Sequence, residues 1–333
     1  MELTEIELVR AIRKVLSGSA PGVVVGVGDD AAVLDPRPHP GVLTTDMLVE
    51  GVHFEIGATS AHDLGHKAVT VNVSDVAAMG GSPRYAVACV AVSPRLEASW
   101  VMELYGGMRQ ASADYGMVLV GGDTSRADRV VLSVTVLGEV GSGRHVTRAG
   151  AGPGDALVVT GELGGSAGGL WVAQAKHESQ SEALSRPWGR ALVARHERPV
   201  ARVGEGQTLA AARATAMMDV SDGLAIDLAR LCEESGCGAR VRLADIPLAE
   251  GLEELQELGD VEPLDLALHG GEDYELLAAV PKDAVEPTRE ALMERFDTRL
   301  TEIGEITSER GLVAVSDDGS EDPLESKGWD HFA

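Results

Sequence analysis

Residues 61–92 read AHDLGHKAVTVNVSDVAAMGGSPRYAVACVAV. Apolar positions recur at helical spacing over 61–79, and Gly80-Gly81 closes the run as glycine closes helices. The stretch 85–92 is short and continuously apolar, which predicts a buried strand. On the N-terminal side, 23–34 and 41–49 read as strands rich in Val and Leu between Gly and Pro. On the C-terminal side, 97–115 reads as a helix stopped by Gly116, with strands at 117–120 and 130–140. The Gly-rich, polar stretch 141–154 is the best domain boundary. A strand at 155–160, a Gly-rich turn and a helix opening near Ser166 restart the pattern. Residues 177–187 predict a loop or short helix. Helices at 224–234 and 284–296 follow, with strands at 239–243, 274–280, 301–306 and 312–315. The expectation is an α+β chain of two domains, 1–145 and 146–333, each a mixed sheet with helices packed on one side.

Composition narrows the function. At about 150 residues per domain, 333 residues make about two domains. Hydrophobic residues are 44% and aromatics 3%, so the core must be built from Ala, Val and Leu. Against 28 basic residues stand 53 acidic ones, a formal charge of -25. Such a chain repels nucleic-acid phosphates and anionic lipid, so neither nucleic acid nor membrane is an expected partner. Residues 1–16 mix charged and apolar residues without the pattern of a signal peptide, and 85–92 is too short to span a bilayer. Cys89, Cys232 and Cys237 are odd in number and suit a reducing compartment, with Cys89 expected to be a buried thiol. The expected location is cytoplasmic.

Acidic residues gather in short clusters that read as strand-end turns: Gly28-Asp29-Asp30, Thr44-Thr45-Asp46, Asn72-Val73-Ser74-Asp75, Gly121-Gly122-Asp123-Thr124, Asp219-Val220-Ser221-Asp222-Gly223 and Gly270-Gly271-Glu272-Asp273. Any one is ordinary turn or cap chemistry. Together they offer carboxylate, hydroxyl and carbonyl oxygens, the hard donors that Mg²⁺ takes. If the loops converge, their repulsion must be relieved by protons or divalent cations, which suits a polyphosphate nucleotide carried on several metal ions. Paired carboxylates for glycoside hydrolysis compete with that reading, but so few aromatics leave little for a sugar platform. No P-loop occurs, the HRD and DFG kinase sets are missing, and the glycines of 161–169 have the wrong spacing for a dinucleotide fingerprint. His62 and His66 share a helix face without an HExxH motif, which favours a surface or packing role.

In order, the stretches GVGDDAAVL, TTDMLVEGVHF, HKAVTVNVSDVAAMGGSPRYA, LVGGDTSR, TRAGAGPGDALVVTGELGGSAGGL, MMDVSDGLAIDLARL, GGEDYELL and KGWDHF resemble the thiamine-monophosphate kinase family of the aminoimidazole ribonucleotide synthetase-like superfamily. ARHERPVAR resembles the family's RH-x-RP-x-PR with Ala201 in place of the second proline, a departure expected to lie outside the site. The resemblance implies ATP-dependent phosphorylation of thiamine phosphate to thiamine diphosphate, with several Mg²⁺ ions, on two α+β domains whose N-terminal one supplies a homodimer interface. By position, Asp30, Thr44, Thr45, Asp46, Asp75, Asp123, Asp219 and Asp222 match the family's metal ligands. Tyr105, Gly122, Asp123, Arg148 and Ser221 match its ATP contacts, and His53, Glu272 and Trp329 its thiamine phosphate contacts. Asp75, Asp123, Arg148 and Asp219 are the expected catalytic residues.

Other readings stay open at this point. Another ATP-dependent enzyme of the superfamily is one. A hydrogenase-maturation dehydratase would carry a C-terminal cysteine, and a selenophosphate synthetase a reactive residue near its N-terminus. A non-catalytic divalent-cation-binding protein is a further reading, although no EF-hand loop is present.

Overall fold

The computed structural model describes residues 23–25, 32–34, 40–141, 145–174, 176–259 and 261–329. Six strands, β1 (Val23–Val25), β2 (Ala32–Leu34), β3 (Gly41–Val49), β4 (Ser82–Val92), β5 (Val118–Arg126) and β6 (Val131–Glu139), form one sheet in the order β1-β2-β3-β6-β4-β5. Only β4 and β5 run parallel; the other pairings are antiparallel. Helices α1 (Ala61–Ala78) and α2 (Ala98–Asp114) cover one face. Ser60 caps α1 by accepting the Asp63 N–H at 3.0 Å, and the helix ends at Met79 before Gly80.

The two helices meet backbone to backbone. A Cβ on Gly65 would stand 2.0 Å from the Leu104 carbonyl oxygen, and one on Gly107 1.8 Å from that of His62, so only glycine permits the approach. His66 is buried in this contact, its Nδ1 3.2 Å from Thr70 Oγ1 and its Nε2 3.5 Å from Asp114 Oδ2. Its role is packing.

Two expectations about this sheet are corrected. Strand β5 continues through Gly121-Gly122 to Arg126, and 85–92 is buried on one face only. Ala86, Ala88 and Val90 pack inward, while Tyr85, Val87 and Cys89 point out. The run looks fully buried in sequence because its outer face is apolar as well.

Seven strands form the second sheet: β7 (Ala156–Thr160), β8 (Ala216–Asp219), β9 (Gly238–Arg242), β10 (Leu276–Val280), β11 (Leu300–Thr307), β12 (Gly311–Val315) and β13 (Glu321–Pro323), in the order β13-β12-β9-β11-β7-β10-β8. Here helices lie on both faces, whereas the one-sided arrangement describes the first sheet. Strands β7 and β10 are buried at every position, so each face needs a cover. Helix α7 (Leu224–Ser235) packs on one face through Leu224, Leu228 and Leu231. On the other lie α6 (Val203–Ala211) and α10 (Lys282–Phe296), through Leu209, Val285 and Leu292. A lobe of α3 (Gly165–Ala173), α4 (Glu178–Ser185), α5 (Pro187–Glu197), α8 (Leu252–Leu258) and α9 (Pro263–His269) has its own core around Val172, Leu192 and Leu255.

Helix α1 joins the halves. Fifteen of its residues are buried, because the first sheet and α2 pack on it together with α6 and β8 of the second half. A helix in that position must carry apolar residues all round, and its few polar side chains must find partners.

Candidate active site at the junction of the two sheets

Along β3, alternation sends Thr44 and Asp46 toward α1 and Thr45 to the other face. Thr44 Oγ1 donates to Asp75 Oδ2 at 2.5 Å. The Asp46 N–H donates at 2.9 Å to Oδ1 of the fully buried Asn72, one turn before Asp75 on α1. Thr45 Oγ1 donates to the Val134 carbonyl at 3.0 Å, so its hydroxyl is turned from the one Thr44 shares with Asp75. From the same helix Ser74 Oγ donates to Oδ2 of the buried Asp219 at 2.5 Å, tying the end of β8 to α1.

Beyond β8 the chain turns through Val220-Ser221-Asp222-Gly223 into α7. Asp227 organises this turn, accepting N–H bonds from Ser221, Asp222 and Gly223 at 3.0, 2.9 and 3.2 Å. Asp222 is paired with Arg230. The loop before β10 lies against the turn: Glu272 N–H donates to the Ser221 carbonyl at 2.7 Å and Tyr274 N–H to that of Val220 at 2.9 Å. Glu272 and Tyr274 have φ of 66° and 53°, a left-handed backbone that non-glycine residues adopt at a cost. Asp273 between them caps α3, accepting the Gly164 and Ser166 N–H groups at 2.7 and 3.1 Å.

These elements wall a cavity of about 1070 Å³. Asp46, Asp75, Asp219 and Asp222 line it, with Thr45 and Ser221. So do His53, Glu272 and Trp329; the Trp329 N–H donates to the Asp222 carbonyl at 3.1 Å, which docks the tail on the turn. The clusters from Thr44, Asn72, Asp219 and Gly270 therefore converge, but not as strand-end loops. Thr44-Thr45-Asp46 lies inside a strand, Asp75 on a helix, and only the last two flank strands.

Other expected residues lie elsewhere. Tyr105, Gly122 and Asp123 stand at the β5 edge of the first sheet, where Tyr105 Oη is 3.1 Å from Thr124 Oγ1. A Cβ on Gly122 would fall 1.9 Å from the Ala88 carbonyl oxygen, so close strand packing dictates that glycine. Arg148 leaves the chain beside the end of α7, its carbonyl accepting from Ser235 Oγ at 2.8 Å, while its charge acts on Asp227 and Arg230. Asp30 lies outside the described residues.

Sequence reasoning passed over His196, Glu197 and Lys67. The first two line the cavity from the end of α5, within the ARHERP motif. Ala201 lies away from the cavity wall, and its N–H donates to Tyr115 Oη at 2.9 Å, a bond that proline could not make.

Burial first, and then the Lys67 charge, push His196 down to about 4 from 6.5, against the opposing pull of Glu272. Between those values an unfolded chain binds the proton that the folded one refuses, so this residue makes stability fall as pH is lowered. Its share of the slope is at most about 1.4 kcal/mol per pH unit. Asp273, pushed up to about 7 by burial, acts in the opposite direction, so the readout is a difference between variants. His196→Asn is expected to lose less stability than the wild type between pH 6.5 and 4, measured by urea midpoints. Equal losses would contradict this assignment.

The described residues hold no preformed group of three or more His, Cys, Asp or Glu side chains able to hold a metal. The donors at the cleft are carboxylates and hydroxyls, a chemistry that fits Mg²⁺ shared with phosphate oxygens and water. No described helix is long and apolar enough to cross a membrane.

Comparison with known proteins gives a consistent result. Residues 28–140 match the model of the AIR synthase related protein N-terminal domain, and 152–317 that of the C-terminal domain. Thiamine-monophosphate kinase of Bacillus subtilis is 34% identical over 93% of this chain and 94% of its own length. That of Escherichia coli K12 is 37% identical over 93% of each. The solved structure of AaThiL complexed with AMPPCP and TMP superposes with a TM-score of 0.87 at 36% identity, covering 99% of this chain and 98% of that one.

Proposed function

The chain belongs to the thiamine-monophosphate kinase family, and we propose that its cleft transfers the γ-phosphoryl group of ATP directly to thiamine phosphate, giving thiamine diphosphate and ADP. One observation carries the reading: carboxylates of both halves and the three residues matched to thiamine phosphate line the same cavity. The acceptor is a phosphate monoester with a second pKa of about 6, largely dianionic at neutral pH, and it needs no general base. What must be overcome is the repulsion between two polyanions, by neutralisation and in-line alignment.

We assign Asp46, Asp75, Asp219 and Asp222 to the metals, with Thr44, Thr45, Asp30 and Asp123 assigned by resemblance. Mg²⁺, when bound, would supply positive charge that neutralises the phosphates. The chain's own part is orientation. Thr44 and Ser74 hold one oxygen each of Asp75 and Asp219, and Arg230 holds Asp222. Ser221 faces the nucleotide in this reading, and Asp75 and Asp219 stand at the reacting phosphates. Trp329, half exposed on the cleft wall, offers its ring to the pyrimidine or the thiazolium cation. Trp329→Ala is expected to raise KM for thiamine phosphate about tenfold and KM for ATP less than about twofold. Equal rises in steady-state kinetics would remove that role.

The same reading makes the chain a cytoplasmic homodimer of domains 1–145 and 146–333. Support for the dimer is the apolar face of the first sheet that the described residues leave exposed at Met47, Tyr85, Val87, Val118 and Val120. Tyr105, Gly122, Asp123 and Arg148 retain their ATP and metal assignments by resemblance, Gly122 and Asp123 on the edge strand β5 next to that face and Tyr105 on α2, with its hydroxyl against Thr124 of β5. Val120→Lys is expected to give a monomer by analytical ultracentrifugation; an unchanged dimer would place the interface elsewhere.

Assaying ADP release with and without thiamine phosphate, at several Mg²⁺ concentrations, tests the function. Release that needs both supports it. Release indifferent to thiamine phosphate points to another ATP-dependent enzyme of the superfamily, and none at all to a binding protein. Rapid quench with γ-labelled ATP tests direct transfer, which a labelled side chain would refute.

A further inference from the structure

Lys67 stands on the apolar helix α1 and is 3% exposed. An ammonium ion there requires a partner. Its Nζ lies 2.8 Å from Glu272 Oε1, and the other carboxylate oxygen, Oε2, lies 3.2 Å from Nδ1 of the buried His196. That ring nitrogen is also 3.0 Å from Ser166 Oγ at the start of α3. Burial keeps His196 neutral, so serving an ionised carboxylate requires its proton on Nδ1. Burial alone would raise Glu272, but Lys67 and His196 outweigh it and hold its carboxyl below the ordinary range.

Three elements thus fix one carboxylate at the cleft wall: α1, α5 and a loop with left-handed backbone at this residue. Phosphoryl transfer between polyanions gains nothing from a further anion at this place. A fixed anion suits a cation, and thiamine phosphate carries a thiazolium cation together with an amino donor on its pyrimidine.

We propose that Lys67 and His196 are positioning residues for the acceptor: from opposite sides they grip both oxygens of Glu272 and present it to the thiamine moiety. This rests on the reading that Glu272 contacts thiamine phosphate. Its consequence is that both residues act through Glu272 and on one substrate.

The test is a double-mutant cycle of Lys67→Met, Glu272→Gln and the double variant, with His196→Asn and Lys67→Arg alongside, in steady-state kinetics for both substrates. Lys67→Met and Glu272→Gln are each expected to raise KM for thiamine phosphate about tenfold, with KM for ATP changed less than about twofold. The double variant is expected to be no worse than either single one, His196→Asn to raise the same KM, and Lys67→Arg to recover part of the loss. Where Lys67→Met does not fold, the double variant, which leaves no unpaired buried charge, must match Glu272→Gln. The proposal is overturned if Lys67→Met leaves KM for thiamine phosphate unchanged, raises both KM values alike, or adds its full effect to that of Glu272→Gln. An unchanged KM in Glu272→Gln alone would instead sink the reading of Glu272 as a thiamine contact, and the proposal with it.

Discussion

Asp75→Asn is expected to lower kcat by about a thousandfold while leaving the fold as stable as before or more so. The two effects part because of where Asp75 sits. It is half-buried, holds one hydroxyl bond from Thr44 at 2.5 Å, and lines a cleft shared with Asp46, Asp219 and Asp222. Asparagine keeps the shape and can still accept from Thr44. It removes one of several crowded negative charges, which relieves repulsion in the protein alone. The same change removes the charge that would draw metal to the reacting phosphates. Raised Mg²⁺ is expected to recover part of the activity. Wild-type kcat in this variant, or a melting temperature several degrees lower, would show that Asp75 serves the fold instead.

Arg202→Met is expected to cost stability, about 3–5 kcal/mol, which is the loss typical of breaking a buried ion pair from one side. Arg202 donates through Nε and Nη2 to the two oxygens of Glu275 at 2.8 and 2.5 Å. Glu275 is 3% exposed and also accepts from Thr160 Oγ1 at 2.7 Å. It directly follows the Glu272–Tyr274 loop, so the pair braces that loop from behind. Burial already raises Glu275, and the arginine restrains the rise. Without Arg202 the carboxyl goes higher, the folded state binds the proton more readily than the unfolded one, and the deficit shrinks as pH is lowered. Lysine cannot reproduce two parallel N–H bonds, so Arg202→Lys should recover only part of the loss. Urea midpoints from pH 5 to 8 measure both effects; a loss below about 1 kcal/mol at pH 7 would mean that the pair is spectator structure.

Much of this architecture could be read from local pattern. Helix α1 and its glycine stop, and the strands β3, β4 and β6, follow from spacing and turn chemistry. Helices α5 and α9 were legible only in principle: Pro187 and Pro263 look like breakers, yet each sits in the first turn, where no amide bond is lost. Strand β5 hid behind Gly121-Gly122, which reads as a turn until Ala88 is seen pressed against it. Cys89 was misplaced because an apolar outer face mimics burial. At the site, acidic clusters could be found one by one, but their convergence depends on how β3, α1 and β8 pack. Lys67 left a signal, a lysine amid the apolar run of α1, whose partner lies in the other half of the chain and cannot be inferred from spacing.

The central claim is that one cleft brings the two phosphates together. A crystal structure with a non-hydrolysable ATP analogue, thiamine phosphate and Mg²⁺ tests it most directly. The account predicts the terminal nucleotide phosphate and the acceptor phosphate facing each other between Asp75 and Asp219, with metal ions bridging them and the thiamine moiety against Glu272 and Trp329. Ligands in separate cavities, or metals bound away from these carboxylates, would contradict it.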